Sequence, residues 1–314
     1  MMSVERHDCA VAFCCDRNYF HLALFMIRQI AFHNPHRKFD FVISSQDSLD
    51  LPDWSKPLGI VLHRTGELPV RIEAARFRGS IAPLFRLMLA RELGDRYRRI
   101  LYLDCDMFVE GGDFNRLIEV DLGPYPIAAV LDAPFLYQPD FLAREYARLG
   151  WPAMPYANTG LQVIDTKAYR EQDVERRSLD VGRLYPKAIV YSDQSLTNIA
   201  LKGKFAQLPP CWNWQWNLRL PMLSLKHPVF VHHFIGREKP DRRGAELLDM
   251  RFNQAYRTFM EQLMPEMLEN VASPGLLSPV SIQELARNAY SHLFSRRRAD
   301  AFLARFPDPY RTTL

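Results

Sequence analysis

Long apolar runs are missing from this 314-residue chain, and with them any segment near the roughly 18 residues a membrane-spanning helix needs. Its start, from Met1 to Asp8, lacks the basic region and apolar stretch of a secretory signal. A cytoplasmic protein is expected. Strong charge is missing too: 40 basic against 36 acidic residues leave +4, too little to call for nucleic acid as a partner. Cysteine is scarce. Cys9, Cys14, Cys15, Cys105 and Cys211 are odd in number and lack paired metal-ligand spacing, which leaves reduced thiols as the simplest reading. There is no fixed-period repeat and no low-complexity tract. Neither a dinucleotide-binding glycine fingerprint nor a P-loop occurs, so any phosphate must be held by a metal and basic side chains.

What is present is an alternation of short apolar runs with helix-length segments. Val11–Cys15, Phe39–Ser44, Ile60–His63, Ile100–Asp104 and Ile127–Asp132 read as strands. Tyr19–His33 and Ile81–Leu93 carry apolar residues at helical spacing, the first stopping near Asn34-Pro35. This order predicts an α/β fold with a largely parallel sheet. After about Pro240 the character changes. Leu247–Met267 reads as a helix, Ser273-Pro-Gly and Ser278-Pro as punctuation, and Ser281-Ile-Gln-Glu284 as a capping box. From Arg287 to Leu314 there are six arginines and two aspartates, with Tyr290, Phe294, Phe302, Phe306 and Tyr310 among them. Two units are expected: a catalytic domain over 1–240 and a helical, basic and aromatic extension over 241–314.

The chemistry concentrates at Ile100-Leu-Tyr-Leu-Asp104-Cys-Asp106. Alternate strand residues share a face, so Asp104 and Asp106 point one way and Cys105 the other. Two carboxylates that close repel unless a cation lies between them, and open α/β sheets place ligands at the carboxyl ends of their strands. A divalent ion and a phosphorylated substrate are the expectation. Downstream, Val231-His-His233-Phe-Ile-Gly236-Arg-Glu-Lys239-Pro240 puts a histidine, a glycine and a lysine at three-residue intervals after an apolar strand. The imidazole can complete a metal site, the glycine lets backbone approach a phosphate, and the lysine supplies charge. On a strand only one of His232 and His233 faces the site; spacing favours His233, leaving His232 packed or hydrogen-bonded.

With these residues the chain resembles glycosyltransferase family 8, retaining nucleotide-sugar enzymes of the GT-A fold, over roughly residues 9–240. The resemblance runs through Ala12-Phe-Cys-Cys-Asp16-Arg-Asn18-Tyr19, Phe85-Arg86-Leu87, Asp104-Cys105-Asp106 and Ala157-Asn158-Thr-Gly160. It continues through Ser192-Asp193-Gln194-Ser-Leu-Thr-Asn198, Leu208-Pro-Pro-Cys-Trp-Asn213 and the histidine–glycine–lysine–proline segment. The departures are Ser195, where some relatives carry an acid, Asp241, where a tryptophan often stands, and the C-terminal extension. The resemblance implies a UDP-hexose donor, galactose or glucose, and a saccharide acceptor such as lipopolysaccharide, lipid-linked or free. It implies Mn2+ or Mg2+ on Asp104, Asp106 and His233, and a donor contacted by Asp16, Asn18, Arg86, Asp104, Cys105, Asp106, Gly236 and Lys239. Asp193, Gln194 and Asn158 fall beside the sugar, with Gln194 at the anomeric carbon.

Several features carry two readings. An aspartate pair after a strand also opens haloacid-dehalogenase phosphatases, although Gly111-Gly-Asp113-Phe-Asn-Arg does not convincingly supply the further acids they need. A catalytically silent carbohydrate-binding adaptor is a third class. Arg86 in an apolar helix either meets a diphosphate or forms a structural pair. Asp132 touches sugar or caps the next turn. Trp212, Trp214 and Trp216 alternate as a sugar platform on one strand face or as core. The Arg296-Arg-Arg298 end either lies against an anionic membrane surface, which gives a peripheral location, or is a solvated tail.

Overall fold

Residues of one strand alternate between two faces, and here both faces are apolar. In β1 (Cys9–Cys14), Cys9, Val11 and Phe13 enter one core while Ala10, Ala12 and Cys14 enter another. β4 (Arg99–Leu103) does the same with Leu101 and Leu103 against Ile100 and Tyr102. Strands buried on both faces require cover on both sides, which is the three-layer α/β arrangement. The computed structural model describes residues 7–69, 81–216, 223–236, 239, 250–270 and 279–314.

The central sheet has the order β3 (Val61–Arg64), β2 (Asp40–Ser45), β1, β4, β7 (Ala157–Asp165), β6 (Ile127–Leu131) and β8 (Ala206–Gln207). β1, β2, β3 and β4 run parallel, as do β6 and β8, while β7 is antiparallel to both β4 and β6. The chain moves outward from β1 through β2 and β3, then returns to the other side of β1 with β4. That reversal opens a crevice at the carboxyl ends of β1 and β4, where Asp16 and Asp104 stand. A second sheet joins β5 (Met107–Val109), β10 (Val231–His233) and β9 (Trp214–Gln215). Its register sets His233 opposite Met107, one residue from Asp106.

The helices in chain order are α1 (Phe20–His33), α2 (Leu89–Leu93), α3 (Phe114–Ile118), α4 (Arg144–Arg148), α5 (Thr166–Glu171), α6 (Val174–Leu184), α7 (Ser192–Leu201), α8 (Met250–Leu263) and α9 (Pro279–Leu303). The five expected strands form with ends moved by one or two residues, and α1 falls where the apolar periodicity put it. The expected helix Ile81–Leu93 differs: it is a 3-10 helix, Ala82–Met88, followed by α2. Pro83 in its first turn lacks an N–H and suits that tighter start. Asp113 is an N-cap, accepting from the backbone N–H of Asn115 and Arg116, which accounts for the acid after Gly111-Gly112 without any metal role.

The C-terminal region completes the body of the protein. Tyr256, Phe259 and Met260 of α8 enter one core, and Ala299, Phe302 and Leu303 of α9 enter the other, with Phe306 packed against it. Trp212 Nε1 donates to the Pro309 carbonyl at 2.6 Å, and its ring meets Tyr310 at 5.5 Å. Thr313 bridges Gln207 on the sheet edge. The sequence grouped Phe302, Phe306 and Tyr310 with a basic tail, either membrane-facing or solvated; Phe302 is buried and Phe306 and Tyr310 pack partly buried against the two cores, which corrects that. Ser281 lies inside α9 rather than at a cap. Asp241, the Ser273-Pro-Gly and Ser278-Pro signals and residues 247–249 of the expected helix lie outside the described residues.

Candidate active site

β4 delivers Asp104 to the crevice, and its backbone N–H continues the ladder by donating to the Gly160 carbonyl of β7 at 2.7 Å. Asp104 Oδ1 accepts from the Tyr102 hydroxyl at 2.6 Å and from Arg86 Nη2 at 2.7 Å. Its Oδ2 lies 3.7 Å from His233 Nε2, and Asp106 Oδ1 lies 3.5 Å from the same nitrogen. One ligand atom from each of Asp104, Asp106 and His233 falls within 4.8 Å of the others. Cys105 packs in the core on the opposite side, as strand alternation requires, so only its backbone can face a donor.

Three observations show that this trio fits a divalent cation. First, Asp106 Oδ1 is buried and has no hydrogen-bond partner. Buried carboxylate oxygens normally have one, so the atom is prepared for a cation. Second, His233 Nδ1 lies 3.0 Å from Asn213 Oδ1, an acceptor, so Nδ1 holds the proton and Nε2 keeps its lone pair toward the acids. Third, two ligands each about 2.1 Å from one ion sit roughly 3–4 Å apart, the range seen between His233 and both carboxylates. Two oxygens and an imidazole suit Mn2+ at least as well as Mg2+. Gly160 makes room for this arrangement: a Cβ there would lie 2.4 Å from His233 Cε1 and 3.0 Å from Asp104 Oδ2.

Basic groups close the trio on two sides. Lys239 Nζ donates to Asp106 Oδ2 at 2.6 Å and also to the Phe234 carbonyl. Burial alone would raise the Asp106 pKa, but its neighbours, the Lys239 ammonium foremost, outweigh it and hold the carboxyl far below the ordinary range. Arg86 is buried with 7 % exposure, stacks 4.4 Å above the Tyr102 ring, and donates to the Thr159 carbonyl at 2.9 Å. Burial opposes its charge, yet Asp104 and Asp193 together keep its pKa above the usual arginine value. The expected helix arginine thus forms a structural pair, spanning Asp104 and, at 3.2 Å, Asp193.

Asp193 and Gln194 open α7 after Ser192, whose φ of +43° is a strained, left-handed entry for a residue with a Cβ. Asp193 Oδ2 accepts from Thr159 Oγ1 at 2.9 Å, and burial with the nearby Asp104 pushes its pKa up to about 6 against the pull of Arg86. Gln194 Oε1 accepts from the Thr159 N–H at 3.3 Å. Asn158 Oδ1 accepts from Gly160 N–H and from Asn213 Nδ2, and its own Nδ2 donates to Asp132 Oδ1 at 3.1 Å. A chain of side-chain hydrogen bonds therefore runs from His233 through Asn213 and Asn158 to Asp132. Asp132 makes no side-chain cap to the following 3-10 helix, and burial raises its pKa, with Glu145 adding to the effect.

Other expected residues lie further out. Asp16 Oδ1 accepts from the Asn18 and Tyr19 N–H groups and shapes the turn into α1, while Asn18 is exposed. Gly236 has φ +90°, a conformation that favours glycine. His232 packs on Phe252 with Nε2 3.1 Å from Glu110. The three tryptophans do not share a face. Trp212 sits in a 3-10 turn within one core, Trp214 enters the other, and Trp216 packs on Phe252, so the platform reading is withdrawn.

Sequence reasoning gave no role to Tyr102, Thr159 or the Asn213 side chain. Tyr102 was findable, since it stands two residues before Asp104 on the same strand face. Asn213 was not, because only the pairing of β9 with β10 brings it to His233.

The sequence profile of Glycosyl transferase family 8 matches residues 10–243. The chain is 24% identical over 265 residues to the Lipopolysaccharide 1,2-glucosyltransferase of Escherichia coli (strain K12), covering 78% of this chain and 76% of that one. It is 24% identical over 310 residues to the Lipopolysaccharide 1,3-galactosyltransferase of Salmonella typhimurium, covering 91% and 86%. To General stress protein A of Bacillus subtilis it is 28% identical over 189 residues, 54% of this chain and 59% of that protein's length. Among solved structures, the galactosyltransferase LgtC bound to donor and acceptor sugar analogues superposes with a TM-score of 0.66 at 21% identity, over 83% of this chain and 100% of that one. That likeness establishes the GT-A fold. A family match over most of the chain, set beside a crevice built around Asp104, Asp106 and His233, leads to one conclusion: this protein belongs to glycosyltransferase family 8.

Proposed function

We propose that the protein transfers a hexose from a UDP-sugar to a saccharide acceptor, with retention of configuration and with a divalent ion held by Asp104, Asp106 and His233. The observation that carries this reading is the buried, unpartnered Asp106 Oδ1 facing a histidine whose Nε2 lone pair is held ready by Asn213. When bound, Mn2+ or Mg2+ supplies Lewis-acid stabilisation of the charge that develops on the departing diphosphate. Lys239 and Arg86 add positive charge on either side of that leaving group. The Gly236 backbone can approach the phosphates without a side chain in the way, and Asp16 and Asn18 serve the uridine.

On the sugar side, Asp193 and Asp132 accept hydrogen bonds from sugar hydroxyls, and Asn158 ties Asp132 to the metal half. Gln194 faces the anomeric carbon. An amide is a poor nucleophile, so departure and attack on one face of the sugar is the favoured route, with the leaving phosphate taking the acceptor proton. The family assignment removes the phosphatase alternative. A silent adaptor predicts UDP–Mn2+ binding without turnover.

The acceptor is a lipopolysaccharide or another surface glycan, a reading supported by the names of the two lipopolysaccharide-modifying relatives. Among the described residues no helix is long and apolar enough to cross a membrane. A peripheral membrane contact is instead supported by one face of α9. Ile282, Tyr290, Leu293 and Phe294 recur on it at helical spacing, each more than half exposed, and Arg287, Arg296, Arg297 and Arg298 flank it. A thermal-shift panel of UDP-glucose, UDP-galactose and UDP with and without Mn2+ tests the donor reading. Stabilisation by one UDP-hexose that needs Mn2+, followed by UDP release, supports it; no response to any UDP compound contradicts it.

A further inference from the structure

Among the described residues, one buried acid lies close to the sugar-facing turn and has no part in the chemistry above. Glu145 of α4 is 1 % exposed. Its Oε1 accepts from the Tyr156 hydroxyl at 2.8 Å and from Ser195 Oγ at 2.6 Å, while its Oε2 is buried with no hydrogen-bond partner. Leaving a carboxylate oxygen buried and unmatched is costly, so packing alone gives no reason to keep an acid here. Breaches of local rules of this kind concentrate at functional sites.

The partners of Glu145 show what the acid does. Ser195 Oγ accepts from the backbone N–H of Val190 at 3.0 Å and of Tyr191 at 2.7 Å, so it fastens the loop entering α7. Between Tyr191 and Ser195 lies Ser192 with φ +43°, a conformation unfavourable for a residue with a Cβ that must be held by its surroundings. The next two residues are Asp193 and Gln194. The Gln194 side chain lies near enough to the Tyr156 hydroxyl to pull its pKa down, against burial and the Glu145 charge that raise it. Both arms of Glu145 thus end on the same catalytic turn, one through Ser195 on its backbone and one through Tyr156 on its amide.

We propose that Glu145 is a positioning residue that clamps the Val190–Gln194 turn through Ser195 and steadies the Gln194 amide through Tyr156. The role is that of an acceptor: one oxygen receives two hydroxyl protons and orients both groups. The inference rests on the UDP-hexose reading, since the turn is functional only if a donor sugar lies against it. It goes beyond that reading in giving a residue outside the crevice control over turnover without a share in nucleotide binding.

The test compares Glu145→Leu, Glu145→Gln and Ser195→Ala with wild type, using Mn2+-dependent hydrolysis of UDP-glucose and UDP-galactose, UDP–Mn2+ binding and melting temperature. For Glu145→Leu, kcat should fall about 10- to 100-fold, the range expected when a reacting group is misplaced by about 1 Å, with UDP–Mn2+ affinity within about threefold of wild type. Glu145→Gln keeps an acceptor oxygen in the same place and should restore kcat to within about threefold. Ser195→Ala, which is small enough to fold if the leucine variant does not, should lower kcat in the same direction. Wild-type kcat in Glu145→Leu or in Ser195→Ala overturns the proposal, as does parallel loss of kcat and UDP affinity, or a glutamine variant as impaired as the leucine one. Wild-type protein that hydrolyses neither UDP-hexose sinks the donor reading and the inference with it. An active wild type with indifferent variants sinks the inference alone.

Discussion

The two halves of the crevice solve different problems with different chemistry. On the proposed leaving-group side the acids meet buried cations, Asp106 with Lys239 and Asp104 with Arg86, and the His233 imidazole lies within 3.7 Å of both carboxylates. On the sugar side the contacts are mostly amides, hydroxyls and backbone around acids whose pKa values burial raises, Asp193 to about 6 and Asp132 upward. On the proposed function the first half meets a diphosphate and a cation, where charge must be neutralised. On the same proposal the second meets an array of neutral hydroxyl groups, where direction matters more than charge. Arg86 is the joint, reaching Asp104 on one side and Asp193 on the other. Damage to the first half should therefore cost more than damage to the second, and should show in metal and nucleotide binding.

The largest effect is expected for Asp106→Asn. It keeps the shape and the fold, but metal-dependent turnover of UDP-hexose should fall by about 10³-fold or more, since a Lewis-acid metal supplies several kcal/mol. Steady-state UDP release with melting temperature as control checks this; normal turnover would break the assignment of the charged half. Next comes Gly160→Ala, whose Cβ would sit 2.4 Å from His233 Cε1. Displacing the ring should weaken Mn2+ binding about 10- to 100-fold, the usual cost of disturbing the support of a metal ligand. Isothermal titration of Mn2+ in the presence of UDP reads it.

The sugar half should behave otherwise. Gln194→Ala should slow transfer about 10- to 100-fold while leaving UDP–Mn2+ affinity unchanged. Equal losses in both would erase the difference between the halves. The pH dependence sharpens the same point. Asp193 titrates near 6, so protonation should remove its charge as pH falls through that value, and kcat should decline on that acid limb. Asp193→Asn should flatten the limb. The smallest effect on turnover belongs to the arginines of α9. Changing Arg296, Arg297 and Arg298 to glutamate should lower co-sedimentation with anionic vesicles, each basic residue contributing about 1 kcal/mol at such a surface, and leave donor hydrolysis as it was.

Legibility in the sequence divided along similar lines. The metal half could be read because its chemistry depends on short-range periodicity. Asp104 and Asp106 share a strand face, and His233, Gly236 and Lys239 are evenly spaced behind an apolar strand. Five strands of the central sheet were readable for the same reason, whereas β7 and β8 were not read as strands. The supports of the site were not. Asn213, Thr159 and Glu145 reach it through strand pairing and loop packing over separations of 20, 34 and 50 residues to His233, Asp193 and Ser195 respectively. Glu145, between Arg144 and Tyr146, looks in sequence like part of a solvated helix. Tyr310 shows the opposite error: grouped in sequence with a basic tail, its ring packs partly buried on the core residue Trp212.

The central claim is that two carboxylates and one imidazole bind a single divalent cation on which the donor depends. Electron paramagnetic resonance titration of Mn2+ into wild-type protein and His233→Ala, with UDP present, tests it most directly. The account predicts one tightly held Mn2+ per chain in wild type, lost in the variant together with UDP binding. Equal Mn2+ and UDP binding by both proteins, or full UDP affinity in the presence of a chelator, would contradict it.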